Sequence, residues 1–192
     1  RLDDLFDAVD PACLSVLNDT TERVADRLND VSNAIVAPDG FAEWCDTYRY
    51  VQGFEAWRAH GDWINSHGPA FGHLTQARFD FARAITKSDF KIWSECRARL
   101  RRHVLQLIAD DGVLCLPTAP GAPIGRDAPE EEFDAFRGKV LNFTAYAGIA
   151  GAPEVTIPAG IAGGGPVGLS LIGAPGSDLG LLNFVASLTG GH

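Results

Sequence analysis

A chain of 192 residues, 46% of them hydrophobic and 21% charged, has enough apolar side chain for one folded core, which excludes a wholly disordered polypeptide. Its net charge of −9 sets an acidic surface against phosphate backbones and anionic lipid, so nucleic acid and membrane are not expected as partners. No apolar run approaches the ~20 residues of a membrane-crossing helix, and the opening Arg1-Leu2-Asp3-Asp4 shows no basic stretch leading into an apolar one.

In chain order, residues 2–10 are short and mixed, and Pro11 follows them. Residues 20–28 read as an amphipathic helix with Val24 and Leu28 one turn apart. The pair Ile35-Val36 runs into Pro38-Asp39-Gly40, a turn signal. A long aromatic helix is expected over 41–64, with Phe41, Trp44, Cys45, Tyr48, Val51, Phe54 and Trp57 at helical spacing. Gly53 and Gly61 weaken it and open the alternative of two helices. Residues 66–69 read as a loop and 74–85 as a helix. Thr86-Lys87-Ser88-Asp89 then forms a capping box ahead of a helix that carries Phe90, Trp93, Leu100, Val104, Leu107 and Ile108. Arginines fill that helix's other side, and Gly112 is expected to stop it.

Val113-Leu114-Cys115-Leu116 is apolar at every position, the pattern of a strand buried on both faces, and Pro117 ends it. Residues 118–134, rich in Pro, Gly and acids, read as a loop. A helix over 136–147, a strand over 154–158, a glycine-rich turn over 160–166, a strand over 167–173 and a closing helix over 179–188 complete the pattern. The order implies an α/β layered sandwich. Cys13, Cys45, Cys96 and Cys115 form no C-x-x-C and lie beside no His at ligand spacing, so they are expected to be reduced thiols of a cytoplasmic protein. The sequence has no Met and opens in a charged stretch, which points to a piece of a longer chain.

Three blocks carry a resemblance. The first is Pro117-Thr118-Ala119-Pro120-Gly121-Ala122-Pro123 behind the apolar strand and its leading Asp110-Asp111-Gly112. The second begins at Asn142 and runs through Gly151-Ala152-Pro153 to Pro158-Ala159-Gly160. The third is the strand from Gly165-Pro166-Val167-Gly168 to Gly173. In this order they resemble the C-terminal half of the amidase signature family. Trp57, the 66–69 loop and Phe71-Gly72 are similar to members acting on small aryl or indole acetamides. The resemblance implies an α/β/α layered sandwich with a mixed sheet, residues 1–109 mainly helical and 110–192 strand-rich and pocket-lining. It also implies hydrolysis of a small carboxamide through a Ser acyl-enzyme, with no cofactor and no metal.

That family's catalysis uses two serines and a lysine in a Gly-Ser-rich tract, and no such tract is present in these 192 residues. No catalytic residue is therefore assigned. The resemblance instead makes Thr118, Asn142, Phe143, Thr144 and Ile149 candidates for the substrate pocket. Phe143 and Ile149 would meet an apolar acyl group, and Asn142 or Thr144 would orient a polar one. Trp57, Trp63 and Phe71 are further pocket candidates. An N-terminal half carrying the serines and lysine, or a second copy of the chain, is the expected partner, because half a sheet leaves an edge and an apolar face open. A non-catalytic scaffold built on the same fold is the alternative. Ser88-Asp89-Phe90-Lys91 fits S-x-x-K but lacks that pattern's companion motifs, and it falls where a helix cap is expected. His60, His67 and His73 recur without the compact acids or thiols of a metal site.

Overall fold

A computed structural model describes residues 1–108 and 112–189. Seven α-helices and three strands occur among them: α1 (Asp3–Ala8), α2 (Leu14–Ala25), α3 (Ala42–His67), α4 (His73–Ala84), α5 (Lys87–Ile108), β1 (Val113–Pro117), α6 (Glu130–Ala150), β2 (Glu154–Ala162), β3 (Gly165–Gly173) and α7 (Asp178–Thr189). A single 3-10 turn, Pro11–Cys13, joins α1 to α2.

Local chemistry explains most of the boundaries. Turn formation at Gly40 uses φ 90°, and its amide bonds back to Ala37 O at 2.9 Å. The capping box ahead of α5 is reciprocal. Asp89 N donates to Thr86 Oγ1 at 3.1 Å, Thr86 N donates to Asp89 Oδ2 at 3.0 Å, and the Thr86 hydroxyl donates to the same carboxylate at 2.7 Å. These bonds hold the Asp89 carboxyl below its usual range. α5 is described as far as Ile108, and residues 109–111, with Asp110 and Asp111 of the first motif block, lie outside the described residues. α6 begins with Glu130, Glu131 and Glu132 in its first turn, where carboxylates suit the helix dipole. It ends at Gly151, with φ 60°, and Arg97 Nε reaches Ile149 O at 3.4 Å to cover the carbonyl end.

Several boundaries differ from expectation. α3 is one uninterrupted helix, not two, because Gly53 serves packing: a Cβ there would lie 2.8 Å from Ile85 Cδ1, at the end of α4. α2 starts at Leu14 rather than Thr20, and α6 at Glu130 rather than Phe136. For α6 a polar first turn, Glu130-Glu131-Glu132, hides the apolar periodicity, whereas α2 opens with Leu14-Ser15-Val16-Leu17 directly after the Pro11–Cys13 turn.

The sheet has the order β1-β3-β2. β2 and β3 form a hairpin closed by Gly163 and Gly164, with φ 58° and 86°, which matches the positive φ that a tightly twisted two-residue turn requires at both positions. The register shifts between Pro158 and Gly160, and that irregularity on an edge strand accommodates a proline that cannot donate to the ladder. A mixed sheet was expected, yet every paired strand among the described residues is antiparallel. β1 and β2 do run in the same direction and are joined through α6, but β3 is inserted between them. Parallel pairing survives only as the isolated bridge Leu2↔Ala34, which Leu2 N ties to the sheet by donating to Cys115 O at 3.0 Å.

The architecture is thus α/β, with helices packed on a small sheet. Leu114, Cys115 and Leu116 of β1 are buried, as a strand covered on both faces requires. They share one core with Leu169, Leu171 and Ile172 of β3, with α1, and with Phe143, Tyr146 and Ile149 of α6. α2 and α7 both pack against the hairpin. No helix is long and apolar enough to cross a membrane among the described residues.

Candidate functional site

The three motif blocks fold onto one another. Thr118 leaves β1 with its amide donating to Gly168 O at 3.0 Å, and Gly173 N donates to Pro153 O at 3.0 Å. Antiparallel register sets Thr156 directly opposite Ser170. The consequence is a hydroxyl cluster. Thr118 Oγ1 lies 2.9 Å from Ser170 Oγ, and Thr156 Oγ1 lies 3.3 Å from the same atom. Ser170 is fully buried. Gly168 makes room for the cluster: a Cβ there would sit 2.7 Å from Thr156 Cγ2 and 2.9 Å from Thr118 Oγ1.

Glu154, exposed at the start of β2, lies two residues from Thr156 on the same side of the strand. Its carboxyl is pushed above the usual carboxylate range by the protein packed around it, while the Ser170 hydroxyl pulls the other way. Ser170 Oγ is within hydrogen-bond reach of both threonine hydroxyls and has the lone pairs to accept from each. The site is a polar patch set in an apolar sheet, able to present hydroxyl and carboxylate groups but holding no nucleophile–base pair.

Glu154 carries a pH prediction. Its folded-state pKa lies above the unfolded value, so ionising it disfavours the fold. That penalty is absent below the ordinary carboxylate value, grows as pH rises through it and is complete above the raised folded value. Glu154→Gln, which keeps the shape of the side chain and removes its charge, will match the parent chain in urea resistance at about pH 4 and exceed it at about pH 7. A gain independent of pH would remove this account of Glu154.

The other pocket candidates lie on α6 and point in different directions. Asn142 Oδ1 accepts from Cys45 Sγ at 3.1 Å. Phe143 and Ile149 are 1% and 2% exposed and belong to the core. Thr144 faces solvent, its hydroxyl turned back to Val140 O at 3.3 Å. Only Thr118 joins the hydroxyl cluster. Trp57, Trp63 and Phe71 sit on and beside the α3–α4 pair, where Trp63 is 49% exposed and its ring lies 6.5 Å from that of Phe71.

Sequence reasoning missed Ser170, Thr156 and Glu154. Alternation along β2 and β3 places Thr156 and Ser170 on a face, but the register that pairs them depends on the two-glycine turn and the bulge, and neither reads directly from composition. It also missed Tyr146, whose ring is buried against Trp44 at 4.9 Å between centroids. Burial raises its phenol far above the ordinary range.

Ser88 and Lys91 are exposed in the first turn of α5, as a helix cap predicts. His73 Nε2 lies 3.2 Å from Glu130 Oε1, a surface link between α4 and α6. Among the described residues no three His, Cys, Asp or Glu side chains are grouped to hold a metal ion. All four cysteines are free thiols.

Comparison with known proteins adds three findings. The Amidase family model matches residues 60–182. Amidase 1 of Arabidopsis thaliana is 36% identical over 143 residues, which covers 73% of this chain and 33% of that protein. The chloroplastic outer envelope protein 64 of the same plant is 28% identical and shares 72% of this chain with 23% of its own length. The chain thus spans a third or less of these relatives. Among solved structures, an allophanate hydrolase of Kluyveromyces lactis superposes with a TM-score of 0.74 over 93% of this chain and 29% of that one, at 19% identity, a likeness of fold.

Proposed function

Because the chain belongs to the amidase family, we propose that it is the C-terminal part of an enzyme that cleaves the C–N bond of small carboxamides through a Ser acyl-enzyme. The two serines and the lysine of that chemistry would come from a polypeptide segment not contained in this sequence, and this part would supply a wall of the substrate pocket. The observation that carries the reading is the convergence of all three motif blocks around Thr118, Gly168 and Ser170. Thr118 and Thr144 would offer hydroxyls and Asn142 an amide to the substrate's polar end. Phe143 and Ile149 would act from beneath, by fixing α6. Small aryl acetamides are the proposed substrate class, on the strength of the aromatic α3–α4 region. Free thiols fit a cytoplasmic setting.

The complementing N-terminal segment is the proposed partner, with a second copy of this chain as the other candidate. Exposed apolar side chains on α7, Leu179 at 76% and Leu182 at 55%, and the open edge of β2 support a covered state. A non-catalytic scaffold is the competing reading, supported by the likeness to a protein named for the chloroplast outer envelope.

Ammonia release from phenylacetamide tests the pair of readings. The chain alone should give none. Co-expression with the N-terminal segment of Arabidopsis amidase 1 should give a complex that turns the amide over. A complex without turnover supports the scaffold, and turnover by the chain alone defeats both.

A further inference from the structure

Away from the sheet, the loop after Val36, the start of α3 and the last turns of α5 enclose a half-open cavity of about 340 Å³, a size suited to a small organic ligand. Val36, Trp44 and Leu100 form its apolar wall, and each is buried. The polar lining carries charge of both signs: Asp39 and Glu43, Arg99 and Arg102. Arg99 is already engaged, since its guanidinium holds Glu43. Asp39 and Arg102 border the same space, are exposed, and have no ion pair or hydrogen bond with any described residue. His103 keeps the two sides at a set spacing. Its Nε2 lies 3.1 Å from Val36 O, and since a carbonyl only accepts, Nε2 carries the proton and fastens the loop to α5.

One unpaired carboxylate, one unpaired guanidinium and an apolar wall around a single cavity match a ligand with the opposite pattern. We propose that this cavity binds a zwitterionic amino acid with an apolar side chain. The ligand's carboxylate meets Arg102, its ammonium meets Asp39, and its side chain lies along Trp44 and Leu100. A ligand with only one charge leaves the other protein charge unmatched, so selectivity follows from the pairing. Every residue that lines the cavity belongs to this chain.

Two-dimensional NMR of the chain, titrated with L-phenylalanine, 3-phenylpropionate or phenethylamine, tests it. Phenylalanine should give saturable shifts at the Trp44 indole and the amides of residues 36–40. Each single-charge analogue should bind at least ~10-fold more weakly, as the loss of one charge-assisted contact implies. Arg102→Ala and Asp39→Ala should each weaken phenylalanine by about the same factor, and the exposed Lys91→Ala should leave it unchanged. Both test positions are exposed, so the unliganded spectra of the variants will report an intact fold. Absence of saturable shifts, equal binding of an analogue, or indifference to both variants would overturn the proposal.

Discussion

Replacing Phe143 by alanine will destabilise the chain by about 3–5 kcal/mol. The side chain is 1% exposed and belongs to the core shared by the sheet, α1 and α6, so its removal takes away the transfer energy of an aromatic ring and leaves a cavity. Next to it in sequence, Thr144 is exposed and bonds only to its own helix, and Thr144→Ala should stay within about 0.5 kcal/mol of the parent. Urea unfolding of the two variants separates a core role from a pocket-wall role for the motif's Asn-Phe-Thr. If Phe143→Ala unfolds at the parent's midpoint, Phe143 does not support the core and its placement here is wrong.

Asp4→Ala should cost about 2–4 kcal/mol. The Asp4 carboxylate accepts from Ala37 N at 2.8 Å and from Val36 N at 3.1 Å and 3.2 Å through its two oxygens. Val36 and Ala37 are 0% and 6% exposed, so losing the acceptor strands two amides where water reaches poorly. Asp4→Asn retains one acceptor oxygen and should lose less. Hydrogen exchange at the amides of residues 36 and 37 is the direct measure: both should speed up in Asp4→Ala before global unfolding. Unchanged exchange there would mean that the loop is held by other contacts. Because the same loop walls the proposed amino-acid cavity, phenylalanine affinity should fall in this variant as well.

Legibility varied with the range of the interactions involved. The Thr86–Asp89 box, the turn at Gly40 and the buried strand β1 were all readable because each depends on residues within a few positions of one another. The three glycines of the second block serve separable ends in the fold. Gly151 takes φ 60° at the end of α6 and Gly160 takes φ 153° beside the bulge. At Gly148 a Cβ would lie 2.7 Å from Tyr48 Cε2, so the close approach is between helices. Sheet order was not readable. Nothing local announces that β3 enters between β1 and β2, and a helix between two strands ordinarily signals a parallel pair. The site was legible to the same extent. Thr118 follows directly from a motif, whereas Ser170 and Thr156 meet it only through long-range register. On α6, helical spacing says which residues share a face but not which face turns inward, and Phe143 and Ile149 turned out to face the core.

The insertion of β3 also sets a schedule for synthesis. When the chain up to Ala162 has left the ribosome and β3 has not, β1 and β2 are both out but neither has its neighbour to bond with, since among the described residues each pairs with β3 alone. At that stage the helices of this part can form while its three-stranded sheet cannot. Emergence of residues 165–173 then brings the Pro-Thr strand, the hairpin and the hydroxyl cluster together in a single late step. A ribosome stalled a dozen residues short would display a helical intermediate with an unzipped sheet, a form open to the protease and chaperone traffic that the finished fold turns away.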